Sequence, residues 1–192
     1  MNFRTASLAN LVSCLASAEN DTRNSAAREL FHRGHDSAEE AISAWRQDSE
    51  IGALISEHAT VGVAVTPERF AEIRAALGNP QLADVPPDQD AEEFEWNLGD
   101  GAHLDILTTR AQDGSGAIAR FLAKSGEGIQ QVEFLTPDVA RATAMIRLRL
   151  GVAAIYPETR AGADGTRVNF FLTSTAAGKK VLIELVERRK KD

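Results

Sequence analysis

Several features that mark common classes of protein are scarce in this sequence. It contains one cysteine, Cys14, so no disulfide can form within the chain, and such cysteine usage is typical of the reducing cytoplasm. The apolar stretch over residues 8–18 is too short to cross a membrane and lacks the basic start of a signal peptide, so we expect a helix there. Positive charge is not in excess either, because 21 Lys and Arg residues stand against 28 Asp and Glu residues, for a formal net charge of −7. These absences predict a cytoplasmic protein whose partners include neither a membrane nor a nucleic acid.

The N-terminal region, residues 1–57, is predicted to be a small all-α segment, because its apolar residues recur at helical spacing. Ser37 followed by Glu40 has the pattern of a capping box and predicts a helix start at that point. The pattern of residues 21–30, followed by Gly34, resembles one HEAT-type helical repeat. A single repeat cannot bury its own apolar face. We therefore expect this segment to pack on the rest of the chain or on a partner subunit.

A seven-residue pattern occurs twice, over residues 61–67 and 131–137, and both copies end in Thr-Pro. Each copy predicts a strand, a Thr N-cap with Pro at the first helical position, and then an amphipathic helix that ends at a glycine, Gly78 or Gly151. Strand-like alternation follows each helix. The duplication predicts an α+β fold of two βαβββ modules, residues 59–110 and 129–187, whose curled sheet carries helices on its apolar face and lines a cleft with its other face. Strands are expected over 60–65, 93–98, 103–108, 152–156, 167–172 and 180–187, with a bridging helix over 115–125.

Two acidic residues occupy matching positions in the last strands of the two modules. Glu184 and Asp105 both lie amid apolar residues, where an unpaired carboxylate would be costly. Such a group is normally paired, coordinated to a metal or catalytic. Thr60 and Gln131 hold corresponding positions in the two first strands and complete a set of four polar residues on the cleft face. The simplest alternative is an ion pair between Glu184 and Arg167 on the neighbouring strand.

The oxygen atoms in this set suit a hard divalent cation, with Asp105, Gln131 and Glu184 as its ligands. A softer metal would favour imidazole, which the four positions do not offer. His58 and His103 are the only histidines within reach of the predicted cleft, and we expect each to be a non-ligand. The sequence therefore leaves the presence of a metal open.

Five segments carry a resemblance to a known family: residues 61–65, 97–100, 118–129, 162–168 and 181–187. In these segments the chain resembles the vicinal oxygen chelate superfamily, also called the glyoxalase/bleomycin-resistance fold, and within it the methylmalonyl-CoA epimerases. The resemblance covers about residues 59–187 and implies a homodimer. Where that family has histidine at the start of both first strands, this chain has Thr60 and Gln131.

The resemblance implies an isomerase or lyase that transfers a proton on a small carboxylate or thioester. In the epimerase mechanism, a proton is removed next to a thioester and returned to the opposite face of the same carbon. That reaction needs two bases, for which the matching residues are Glu184 and Asp88. The enolate needs an electrophile, which is a divalent metal in the family and would otherwise be Gln131 or Arg167. The residues implied in substrate binding are Thr60, Gln131, Arg167 and Gly165.

Two other functions stay open at this point. The same cleft without a metal would serve a small-molecule-binding protein of the resistance or sensor type, which the missing histidines favour. Alternatively, the N-terminal helices would make the chain an interaction protein with a vestigial cleft.

Overall fold

The computed structural model describes residues 3–110 and 114–188 and has an α+β fold with a curled half-barrel sheet. The helices are α1 (Leu8–Cys14), α2 (Asn20–Ala41), α3 (Ser43–Gln47), α4 (Ser49–Gly52), α5 (Pro67–Ala76), α6 (Ala117–Ser125) and α7 (Val139–Leu150). The strands are β1 (Ala59–Ala64), β2 (Glu92–Asn97), β3 (His103–Thr108), β4 (Gly128–Leu135), β5 (Arg160–Ala161), β6 (Arg167–Ser174) and β7 (Lys180–Glu187). None of the helices in the described part of the chain has the length and apolar character needed to cross a bilayer. The predicted fold class is confirmed.

The strand order β2-β3-β1-β4-β7-β6-β5 places the opening strands of the two modules side by side at the centre of the sheet. β1 and β4 pair antiparallel, and each also pairs in parallel with the last strand of its own module, β3 or β7. In the central pair Thr60 lies opposite Glu133, and Gly62 lies opposite Gln131. The duplication in the sequence therefore becomes a pseudo-twofold arrangement about the centre of the sheet.

Two details of the predicted modules are wrong. Within residues 59–110, all of which the structure describes, the first module has three strands rather than four. In the second module the short strand lies at Arg160–Ala161 instead of residues 152–156. There Ile155 donates one backbone hydrogen bond to Phe170 at 2.7 Å. Pro157 follows closely, and because proline has no N–H it cannot continue a ladder of such bonds.

The two Thr-Pro motifs begin their helices differently. In the first, the Thr66 hydroxyl accepts a hydrogen bond from the Arg69 backbone N–H, and Pro67 is the first helical residue, as predicted. In the second, the cap is Asp138, whose carboxylate accepts from the Arg141 N–H at 2.9 Å. Thr136 is therefore not the N-cap of α7, because the aspartate two residues later provides a stronger acceptor.

The predicted helix start at Ser37 is also wrong, because residues 37–40 lie inside α2, a single helix of 22 residues. Gly34, in the same helix, lies directly against β1, where an added Cβ would come within 2.5 Å of Val61 Cγ1. A glycine in a helix usually weakens it, but here it lets the helix approach the sheet closely. The HEAT-type repeat is not confirmed.

One hydrophobic core joins the N-terminal helices to the convex face of the sheet. Leu30 of α2 and Trp45 of α3 belong to the same buried cluster as Phe134 and Phe171 from the strands. The rings of Trp45 and Phe171 meet edge to face with their centroids 5.1 Å apart. The segment thus packs on the rest of the chain, one of the two expected outcomes, and the domain division at residues 57–59 stays a prediction from sequence pattern.

Helix α6 packs on the other side of the sheet. Its Ile118 belongs to a second, smaller cluster with Ala64 and Leu107. Because Ala64 and Leu107 point away from the main core, α6 contributes to the wall of the concave side, where the polar residues lie.

Candidate functional site

The concave face of the sheet lines a cavity of about 1600 Å³. Alternation along the strands places Val61, Val63, Phe134 and Phe171 in the core on the convex side and polar side chains in the cavity. All four polar residues predicted for the cleft line it, together with Glu133 from the neighbouring position on β4: Thr60, Asp105, Gln131, Glu133 and Glu184. The register explains this grouping, because Glu133 lies opposite both Thr60 on β1 and Glu184 on β7.

Gln131 connects strands β4 and β7 of the second module at the floor of the cleft. Its Nε2 donates hydrogen bonds to Glu184 Oε2 at 2.6 Å and to Glu133 Oε1 at 3.2 Å. The space for this side chain comes from Gly62, where an added Cβ would lie 2.7 Å from Gln131 Cγ. One neutral amide therefore holds two carboxyl groups together.

Arg167, which the sequence suggested as an ion-pair partner of Glu184, contacts other residues instead. Its Nη2 donates to Thr159 Oγ1 at 2.9 Å, and its Nη1 lies 3.6 Å from Glu187 Oε2. Glu187 and Glu184 point to opposite faces of β7, since they are separated by an odd number of positions. The predicted ion pair between Arg167 and Glu184 is therefore wrong, because Arg167 makes its contacts on the other face of the strand. Neither Arg167 nor Gly165 is among the described residues that line the cavity, so their role in substrate binding stays a prediction.

The carboxyl groups of the cleft raise one another's pKa values. Burial, followed by the charge of nearby acids, raises the pKa of Asp105 and of Glu184 well above the usual range. Burial and then Glu93 raise the pKa of Glu133 to about 8. Burial and then Asp164 raise the pKa of Glu93 to about 7. All four groups therefore lose their protons at a higher pH than ordinary carboxyl groups do.

Sequence reasoning did not single out Glu93 and Glu95, although they also line the cavity. The sequence pattern could have identified them. Glu93 and Glu95 alternate with Phe94 and Trp96 in β2, so the two acids must share one face of that strand. Glu95 Oε1 lies 2.7 Å from Nδ1 of His103. His103 therefore contacts a carboxylate at the edge of the acidic group.

Asp88, the second base implied by the family resemblance, lines the same cavity from the loop before β2. Its Oδ2 is 2.7 Å from Arg160 Nη2, and the Arg160 guanidinium lies over the ring of Tyr156, 4.6 Å from the centroid. Tyr156 in turn meets Phe170 edge to face at 6.0 Å. This wall of the cleft is aromatic and carries a fixed cation.

The donor atoms do not fit a divalent metal ion as they are arranged. Gln131 turns its N–H group, which is a donor, toward the two acids, whereas a metal ligand must offer its oxygen. Within residues 3–110 and 114–188, no group of three or more His, Cys, Asp and Glu side chains could hold a metal ion. The ligand set Asp105, Gln131 and Glu184 therefore stays a prediction, and no chemical step is assigned to a metal.

Several solved structures of other proteins resemble this chain. No protein-family model matches the chain, and no curated protein matches it either. Among solved structures, the methylmalonyl-CoA epimerase of Mycobacterium tuberculosis is 30% identical, with a TM-score of 0.55, over 71% of this chain and 89% of that one. A variant of the Streptomyces coelicolor methylmalonyl-CoA epimerase in complex with 2-nitronate-propionyl-CoA is 28% identical, with a TM-score of 0.56, over 72% of this chain and 98% of that one. A methylmalonyl-CoA epimerase in complex with methylmalonyl-CoA and NH4+ is 30% identical, with a TM-score of 0.52, over 70% of this chain and 93% of that one.

A curled sheet built from two opposed modules around a polar cleft defines the glyoxalase-fold, or vicinal oxygen chelate, class of protein. The chain belongs to the family within this class that contains the methylmalonyl-CoA epimerases.

Proposed function

We propose that the protein is a proton-transfer isomerase of the epimerase type, acting on the carbon next to the carbonyl of a small thioester. The observation that carries this proposal is the buried carboxyl of Glu184, which faces a large cavity beside a second acid. The three solved relatives described above are epimerases, and two of these three are in complex with CoA esters, which supports the same class of substrate.

In the proposed mechanism Glu184 and Asp88 carry the proton to and from the substrate carbon. Epimerisation requires one group to remove the proton and another to return it to the opposite face. Glu184 lies on the floor of the cleft, and Asp88 comes from the loop that precedes β2. Asp88 pairs with Arg160, and burial raises the pKa of Glu184 well above the usual range, as is common for acids and bases in active sites.

The negative charge that develops on the substrate carbonyl oxygen needs hydrogen-bond donors. Glu133, whose pKa is raised to about 8, remains mostly protonated at neutral pH and can donate through its O–H, as neutral carboxyl groups do in apolar sites. Its position next to Glu184 across the β4–β7 pair brings the donor close to the proposed base. The chain's own residues thus supply both functions.

Deuterium exchange tests the proposal directly. The wild-type protein is incubated in D₂O with methylmalonyl-CoA and, separately, with propionyl-CoA, which lacks the free carboxylate, and uptake is measured by mass spectrometry. Each reaction is run with a chelator and with added divalent cations. We expect uptake that falls about 100-fold or more in Glu184→Gln and in Asp88→Asn. Glu187→Gln, on the same strand but the opposite face, is the matched control and should retain the rate. Absence of uptake from both thioesters under every condition would refute the proposed isomerase.

A second candidate is a metal-free small-molecule-binding protein with the same cleft. The observation that favours it is Gln131, which takes the position of a family histidine and engages Glu184 in a hydrogen bond. Calorimetry that shows thioester binding without deuterium uptake would support this candidate. The homodimer and the cytoplasmic location stay predictions, and sedimentation velocity would check the former.

A further inference from the structure

The two halves of the concave face differ in chemical character. Glu95 lies opposite Asp105 in the β2–β3 pair, and Phe170 lies opposite Glu184 in the β6–β7 pair. All four side chains line the cavity, since residues directly opposite each other share one face of a sheet. Because Asp105 and Glu184 hold matching positions in the two modules, Glu95 and Phe170 match as well. The first module is therefore acidic at a position where the second is aromatic.

A second pair of matching positions shows the same difference. His103 lies two residues before Asp105 on β3, Leu182 lies two residues before Glu184 on β7, and both side chains line the cavity. Leu172, opposite Leu182 on β6, is 55% exposed. The second module thus presents a strip of apolar side chains along β6 and β7, on the face that lines the cavity.

The loop before β5 extends this strip. Tyr156 meets Phe170 edge to face, and Ile155, which is 50% exposed, also lines the cavity. Large apolar side chains that stay exposed inside a cavity are suited to contact with an apolar ligand. We refer to Ile155, Tyr156, Phe170, Leu172 and Leu182 together as the apolar wall.

The apolar wall lies between the two proposed bases. At one end Phe170 is directly opposite Glu184 in the sheet. At the other end the ring of Tyr156 lies 4.6 Å from the Arg160 guanidinium, whose Nη2 is 2.7 Å from Asp88 Oδ2. A substituent on a carbon held between the two carboxyl groups therefore has the apolar wall beside it.

Charge in the cleft disfavours a free carboxylate next to the reacting carbon. Burial and the charges of neighbouring acids already raise the pKa values of Asp105 and Glu184, and a further negative charge would add to this repulsion. Arg160, a cation next to the apolar wall, is already paired with Asp88. An alkyl or aryl group needs no counter-charge, and its burial against the wall is favourable because apolar surface leaves water.

We propose that the acyl group of the substrate is apolar, with an alkyl or aryl substituent against the apolar wall in place of a free carboxylate. This inference rests on the proposed function for the thioester and for the position of the reacting carbon, and it deepens that function by naming the class of acyl group. Such a substrate differs from methylmalonyl-CoA, which is bound to one of the solved relatives, in the charge of one substituent.

Two matched pairs of thioesters test charge and size separately. Isobutyryl-CoA has a methyl group where methylmalonyl-CoA has its carboxylate, and 3-phenylpropionyl-CoA is propionyl-CoA with an added phenyl ring. Calorimetric titration of the full chain at neutral pH, with a chelator present, gives the four affinities. We expect isobutyryl-CoA to bind at least about tenfold more tightly than methylmalonyl-CoA, because it adds no charge to the cleft. 3-Phenylpropionyl-CoA should bind at least about tenfold more tightly than propionyl-CoA, because its ring buries apolar area.

Variants of the apolar wall assign the effect to named residues. Phe170→Ala and Leu182→Ala should each weaken the binding of 3-phenylpropionyl-CoA about fivefold or more, with a smaller effect on propionyl-CoA. Leu148→Ala makes the same chemical change as Leu182→Ala on α7, where Leu148 is 82% exposed and is not among the described residues that line this cavity. This control should leave all four affinities unchanged. Circular dichroism checks the folding of each variant, and the comparison of the two leucine variants decides if Phe170→Ala does not fold.

Three results would overturn the inference: binding of methylmalonyl-CoA as tight as that of isobutyryl-CoA or tighter, equal affinity for 3-phenylpropionyl-CoA and propionyl-CoA, or unchanged affinities in the folded wall variants. Because calorimetry needs no turnover, the two proposals fail separately. Deuterium uptake combined with tighter binding of methylmalonyl-CoA would remove only the inference about the acyl group. The expected order of affinities without deuterium uptake from any of the four thioesters would remove only the isomerase.

Discussion

Replacement of Glu93 by Gln tests whether burial and repulsion in the cleft destabilise the folded protein. Burial and then the charge of Asp164 raise the pKa of Glu93 from 4.5 to about 7. The folded protein therefore binds this proton more tightly than the unfolded chain does. The resulting stabilisation is complete below a pH of 4.5 and is lost as the pH rises through about 7. The free energy of unfolding of the wild-type protein should fall across this range, and that of Glu93→Gln should fall less.

The magnitude follows from the pKa of Glu93. A rise from 4.5 to about 7 corresponds to roughly 3 kcal/mol, at about 1.4 kcal/mol per pKa unit. Water in the cleft reaches part of this half-buried side chain and weakens the effect. We therefore expect Glu93→Gln to be more stable than the wild type by ~1–2 kcal/mol at about pH 8.5, with a much smaller difference at about pH 4.5.

Urea denaturation followed by tryptophan fluorescence at several pH values measures this difference. At a slope of about 2 kcal/mol per molar urea, the midpoint should move upward by roughly 0.5–1 M at the alkaline end. Glu92→Gln makes the same chemical change one residue earlier, on the other face of β2, and serves as the control. A difference that does not grow with pH, or one that grows equally in Glu92→Gln, would refute the argument.

Three further substitutions test the packing on the two faces of the sheet. Gly34→Ala should destabilise the protein by ~1–2 kcal/mol in urea denaturation, because the new methyl group would lie 2.5 Å from Val61 Cγ1 and overpacking outweighs the gain of about 1 kcal/mol in helix propensity. Trp45→Ala should cost ~3–5 kcal/mol in the same assay, since the ring is 2% exposed in the shared core; a cost below about 1 kcal/mol would show that the N-terminal helices are dispensable. Gly62→Ala should displace Gln131 and slow deuterium exchange about tenfold or more, whereas an unchanged rate would show that this amide does not position the proposed base.

Local patterns in the sequence were enough to predict the strands and helices that repeat. The alternation of Val61 and Val63 with small or polar residues depends only on the pleat of a strand, and both valines are fully buried. The role of Gly34 could not be predicted, because a glycine within a helical pattern looks like a helix end. Its function depends on a contact with β1, which is distant in the sequence.

The site was predictable where it depends on matching positions in the two modules. Asp105 and Glu184 lie on the same face of the sheet because their strands occupy equivalent places, as the duplication indicated. The contribution of Glu93 depends instead on the order of β2, β3 and β1 in the sheet, which no local pattern contains.

Strand β1 is the most enclosed part of the sheet's centre. It pairs with β3 and β4 along both edges, α2 covers one of its faces and α6 covers part of the other. Its amide hydrogens should therefore exchange with solvent only when the whole protein unfolds. Because β1 contributes Thr60 to the floor of the cleft and pairs with the strands that carry Asp105 and Gln131, we expect this floor to be among the most rigid parts of the molecule. A ligand then meets a surface that does not adapt to it, and adjustments on binding must come from the ligand or from the loops at the rim.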